Sequence, residues 1–158
     1  MKAFAELLDN LIHTPQRSGK LRLLADYFAR SPDPDRGWAL AILAGTVDLP
    51  GAKATMVRGL TEARVDPTLF ALSYDYVGDL AETVSLLWPG GQEFTKAFRL
   101  SHIVLELRNA GRNDVPLLIE GWLDEMPISQ RFALLKLLMG GLRVGVSARL
   151  AKTALAYF

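Results

Sequence analysis

Cysteine is absent from all 158 residues. That excludes disulfides, thiolate metal ligands and a thiol nucleophile, and it fits a reducing compartment. No run of 18 apolar residues occurs, so no membrane-spanning helix is expected. The opening MKAFAELLDNL places Glu6 and Asp9 inside its apolar pattern. A secretory signal needs an uninterrupted apolar segment, so a cytoplasmic protein is expected. Strand signals are nearly missing: no β-branched and polar residues alternate between turn residues. Catalytic signatures are missing too. There is no G-x-S-x-G elbow and no phosphate-binding P-loop. The two histidines, His13 and His102, lack partners at a deliberate metal-ligand spacing, and His102 with Glu106 four residues on is a weak signal.

What is present is helical period. Half of the residues are hydrophobic and 22% are charged, an ordinary globular balance for one domain. Phe4, Leu7, Leu8, Leu11 and Ile12 form one apolar stripe. A second helix begins near Ser18 and stops at Ser31-Pro32. Asp33-Pro34 reads as a capping Asp and a Pro in the first helical position, opening a third helix that ends at Gly45. The same device recurs at Asp66-Pro67, and a helix over roughly Ala52 to Arg64 lies between. Asp79 and Glu82 have capping-box spacing and open a helix that Pro89 ends. Further helices fit Ser101–Ala110, Val115–Glu125 and Ser129–Met139, and a last one starts at the N-cap Ser147. The expected fold is therefore all-α: an irregular bundle of about nine or ten short helices. No repeat signature appears, which argues against a regular solenoid.

Charge is uneven. The net charge is +1, and residues 1–66 hold nine basic and eight acidic side chains. After Glu125 no acid follows, only Arg131, Lys136, Arg143, Arg149 and Lys152. A positive C-terminal region is expected, and it suits a polyanionic partner. Within it, Gly140, Gly141 and Gly145 crowd the junction of two helices. Glycine lets a backbone approach a phosphate at a helix mouth, where unpaired N–H groups point outward. The structural alternative is that Gly140 closes the preceding helix and Gly145 makes a turn.

These residues carry a resemblance. Gly141-Leu142-Arg143-Val144-Gly145-Val146-Ser147, followed by Leu150 and Ala154-Leu155-Ala156, resembles the stretch that ends the N-terminal helical DNA-binding domain of ATP-dependent DNA ligases. Val77-Gly78-Asp79-Leu80-Ala81-Glu82 is similar to a second, less specific element of that family, with Ala81 where a further glycine is common. Lys20–Leu24 and Asp33–Gly37 look like bacterial members, so the resemblance covers essentially the whole chain.

The resemblance implies a fold like that of the ligase DNA-binding domain, spanning 1–158 as a single unit. It implies sequence-independent binding of nicked double-stranded DNA, in the service of replication, repair or recombination. The implied phosphate-binding residues are Gly78, Asp79, Gly141, Leu142, Arg143, Val144, Gly145, Ser147, Arg149 and Lys152. A nucleoid-associated monomer is implied, working with the catalytic nucleotidyltransferase and OB-fold domains of a parent ligase. ATP and Mg2+ belong to that parent. None of the lysines here stands in the Lys-x-Asp-Gly context that carries AMP, so no catalytic residue, metal or cofactor is expected in this segment, which alone should be inactive. The competing expectation is a helical protein-interaction module with no nucleic-acid role, with Trp122, Phe132 and Tyr157 lining an apolar groove.

Overall fold

In a computed structural model of the chain, residues 1–47, 49, 52–90, 96–140, 142 and 144–157 are described. Ten helices account for them, and among the described residues there is no strand. The helices are α1 (Lys2–Ile12), α2 (Arg17–Arg30), α3 (Asp35–Leu43), α4 (Ala54–Glu62), α5 (Pro67–Val77), α6 (Leu80–Leu87), α7 (Leu100–Asn109), α8 (Val115–Glu125), α9 (Ile128–Leu138) and α10 (Ala148–Ala156). The all-α expectation holds. The chain divides into two compact units, each made from separate stretches, with the division falling within α7.

The first unit comprises Met1–Leu49, Phe98–Glu106 and Leu142–Phe158. The α1 stripe buries Phe4, Leu7, Leu8 and Leu11 against Leu24, Tyr27 and Phe28 of α2. Phe4 meets the Tyr27 ring edge-on at 6.5 Å between centroids. Helix α10 packs on α2 and α3 through Leu150, Ala151 and Ala154, and the two small side chains let it come close.

The start of α3 departs from the sequence reading. Asp33 does not cap it, and Pro34 holds the N-cap position rather than the first helical one. The carboxylate that does the capping is Asp35, and it caps another helix. Its Oδ1 accepts from the Ser101 N–H at 3.1 Å, in the first turn of α7, and Arg99 lies 3.8 Å from the same oxygen. Capping signals are read from adjacent residues, so a cap delivered from 66 positions away left no local trace.

The second unit comprises Pro50–Ala97 and Leu107–Gly141. Its centre is α9, where Gln130, Arg131, Ala133, Leu134, Leu135, Leu137 and Leu138 are all buried. A helix covered on nearly every side belongs in the middle of a core. Helix α6 packs on it, and α4 touches α5, α6 and α8. Asp66-Pro67 opens α5 as expected, with the Asp66 carboxylate accepting from the Thr68 N–H at 2.8 Å. Helix α4 is shorter at both ends than the expected Ala52–Arg64. Ala52 instead donates its N–H to the Leu138 carbonyl at 3.2 Å, serving the end of α9.

Arg131 binds this unit together. It is 3% exposed and meets carbonyls rather than a carboxylate. Its Nε donates to Leu123 O at 2.7 Å, one terminal nitrogen to Trp88 O at 2.8 Å and Ser85 O at 3.4 Å, and the other to Gly90 O at 3.0 Å. These oxygens end α6 and α8, where helix carbonyls are unpaired and the dipole is negative. Burial lowers the guanidinium pKa, the nearby Asp124 opposes this, and the group remains a cation.

Arg131→Lys removes the planar fork that reaches several carbonyls at once. The variant is expected to lose about 2–3 kcal/mol of stability, because buried carbonyls go without donors. A urea titration followed by circular dichroism measures it. A midpoint equal to wild type would mean that the fork is dispensable.

Candidate nucleic-acid interface

The sequence points to two turns. They fall in different units.

The Gly78–Asp79 turn joins α5 to α6. Gly78 has φ +81, a left-handed conformation that glycine adopts without strain, and its N–H bonds to Tyr74 O at 2.8 Å to close α5. Asp79 is the N-cap of α6, and its Oδ1 accepts from the Glu82 N–H at 3.0 Å. Its other carboxylate oxygen receives the Lys136 ammonium of α9. Burial by itself would raise the Asp79 pKa. The Lys136 ammonium and the backbone N–H groups of Glu82 and Ala81 outweigh it and hold the carboxyl below its ordinary value. The N–H groups at this helix mouth therefore already face an anion that belongs to the protein.

The second turn precedes α10. Gly141 and Arg143 lie outside the described residues. Met139 caps α9, and Gly140 follows it at φ +71, so the structural reading of Gly140 as a helix-closing residue holds. Leu142 is half-buried, and the Val144 side chain is buried. The Val144 carbonyl accepts from Lys20 Nζ at 2.8 Å. Gly145 has φ +70, and a Cβ there would run into that same ammonium. The backbone angle is what requires glycine here, since the Lys20 ammonium at the end of a flexible side chain could move aside. Ser147 acts as the expected N-cap, its Oγ accepting from the Leu150 N–H at 3.1 Å. Arg149 and Lys152 follow one helical turn apart and are exposed.

The positive C-terminal charge is smaller than the sequence suggests. Arg131 is buried among carbonyls and Lys136 is paired with Asp79, so neither contributes an open surface charge. Other cations replace them. The Lys20 bond brings the start of α2 to the turn, and Arg17 lies one helical turn before Lys20. Sequence reasoning noticed Lys20 only within a family resemblance and passed over Arg17. The contact joins residues 124 positions apart, and no local pattern announces it. Among the described residues, none of Arg17, Lys20, Arg149 and Lys152 has an acidic partner within salt-bridge distance.

Other candidates fare differently. Trp122 is 8% exposed and packs in the second unit's core, so it cannot line a surface groove. Phe132 is half-buried beneath Lys136, whose ammonium lies 5.5 Å from its ring centre. Tyr157 is exposed. His13 faces Asp9 on α1, while His102 and Glu106 are exposed on α7. Among the described residues, no group of three or more His, Cys, Asp or Glu side chains could hold a metal ion. Among the same residues, no helix is long and apolar enough to cross a membrane.

Two substitutions test these turns. Asp79→Ala removes a cap and an ion pair, and is expected to cost about 1–2 kcal/mol at neutral pH. Because the folded pKa of Asp79 is depressed, this stability is present above the unfolded carboxyl range. It is lost as pH falls through the lower folded value. The gap in melting temperature between wild type and variant should close below about pH 4; a gap constant with pH would leave the carboxylate no role. Gly145→Ala places a side chain at φ +70. It is expected to cost about 1–2 kcal/mol, read as a lower melting temperature.

Across the known protein families no family model matches this chain, and no curated protein matches it in sequence.

Proposed function

We propose that this chain binds double-stranded DNA without reading its sequence, through the turn before α10 and the cations gathered around it. One observation carries the reading. Lys20 of α2 bonds to the glycine turn before α10, Arg17 lies one helical turn before Lys20, Arg149 and Lys152 follow the turn on α10, and among the described residues none of the four is paired with an acid. Uncompensated cations beside a close-approach backbone suit phosphate contacts, which position a protein on a duplex and carry no sequence information. The Gly78–Asp79 turn supports the reading less, since its N–H groups already hold a carboxylate. With the ligase resemblance, the further proposal is the N-terminal DNA-binding domain of an ATP-dependent DNA ligase. It would hold nicked duplex for adenylation and sealing chemistry done elsewhere in that enzyme, where ATP and Mg2+ act.

Fluorescence anisotropy with nicked, intact and single-stranded DNA at several salt concentrations tests it. If four to six phosphates are neutralised, log K should fall against log salt with a slope of roughly −4 to −5. Arg149→Ala with Lys152→Ala should weaken binding to every duplex and reduce the magnitude of the slope by about 2. Its melting temperature should not change, since both side chains are exposed. A slope near zero, or binding untouched in the double variant, would sink the proposal.

A further inference from the structure

The second unit carries a surface of the opposite character. On α5, Leu69, Leu72 and Tyr76 follow one another at helical spacing, and all face outward. Tyr76 is 93% exposed and Leu72 64%. Across from them Leu86 of α6 is 51% exposed. Leu72, Tyr76, Val77, Leu86 and Leu87 line a groove of about 310 Å³ between the two helices. Large apolar side chains gathered in this way mark a contact surface, whereas scattered ones do not.

The hairpin's own charged side chains are of one sign. From Val65 to Leu87 the sequence holds Asp66, Asp75, Asp79 and Glu82 and no lysine or arginine. Asp79 is occupied by Lys136. Asp75 lies one helical turn after Leu72, and Glu82 one helical turn before Leu86, so each is exposed beside a leucine that lines the groove without lining it itself. Among the described residues neither has a cationic partner within salt-bridge distance. The nearby cation Arg58 lies 5.1 Å from the centre of the Tyr74 ring. Tyr74 is two positions from both Leu72 and Tyr76, about 200° around the helix, so Arg58 is on the far side of α5.

We propose that the α5–α6 hairpin docks a short amphipathic helix of a protein partner whose apolar stripe is flanked by lysine or arginine. The apolar groove supplies the contact area, and the acidic borders select the sign of the partner's charge. An 11-residue α5 is about 16 Å long, which matches a partner helix of three turns. The same acidic borders disfavour the phosphates of a nucleic acid. The inference does not depend on the DNA-binding reading, since it uses other residues.

The probe is a three-turn synthetic peptide with leucine on one face and lysine beside it, together with a twin in which every lysine is glutamate. Titration calorimetry measures affinity, and amide chemical shifts locate the site. The lysine peptide should shift signals from Leu69 to Leu87 and bind at least about tenfold tighter than its twin. Asp75→Lys with Glu82→Lys should reverse that order. Leu72→Ser with Tyr76→Ser should abolish peptide binding and leave the melting temperature and duplex DNA affinity unchanged. Equal binding of the two peptides overturns the proposal, as do shifts confined to other residues. Duplex DNA that shifts the signals of Leu72, Tyr76 and Leu86 also overturns it. So does self-association, seen by sedimentation, that the serine variant abolishes, because the occupant would then be a second copy of this chain.

Discussion

A buried cation with no carboxylate partner organises the second unit. From α9, Arg131 reaches the carbonyl ends of α6 and α8. Full ionic pairing would demand a second buried charge, with its own desolvation penalty. Carbonyl oxygens at helix ends supply a diffuse negative potential and need donors in any case. One side chain therefore satisfies several helix-end carbonyls while fixing how three helices meet. Trp88, at the end of α6, is held twice more. Its indole N–H donates to Asp124 at 2.9 Å, and Arg64 stacks on its ring at 4.5 Å. The Gly78–Asp79 turn is tied to the same helix, because Lys136, five residues beyond Arg131 on α9, is what Asp79 faces.

What could be read from the sequence was local. Helix α8 begins and ends where the sequence placed it, at Val115 and Glu125. Asp66, Asp79 and Ser147 all cap the helices that they precede, because a capping side chain reaches only two or three residues along the chain. What could not be read was long-range. The Asp35 cap of α7, the carbonyl clamp of Arg131 and the Lys20 bond to Val144 each join residues remote in sequence but near in space. The candidate site depended on such contacts most heavily. Counting charge along the chain put Arg131 and Lys136 on a positive surface that they do not occupy, and missed the cations that α2 contributes.

The two units divide the chain's surface chemistry. The first has cations without acidic partners on the two helices that meet at a glycine turn. The second shows an apolar groove with acidic edges. On the two proposals, a polyanion and a basic helix would address different units. Net charge near zero hides this, since opposite regional charges cancel in the sum.

The chain passes between its two units four times, beginning and finishing in the first. Neither unit is an uninterrupted stretch of polypeptide. A gene fragment cannot encode one of them alone, and recombination at a single junction cannot transplant one into another protein. Whatever tasks they serve, the two halves are inherited as a pair.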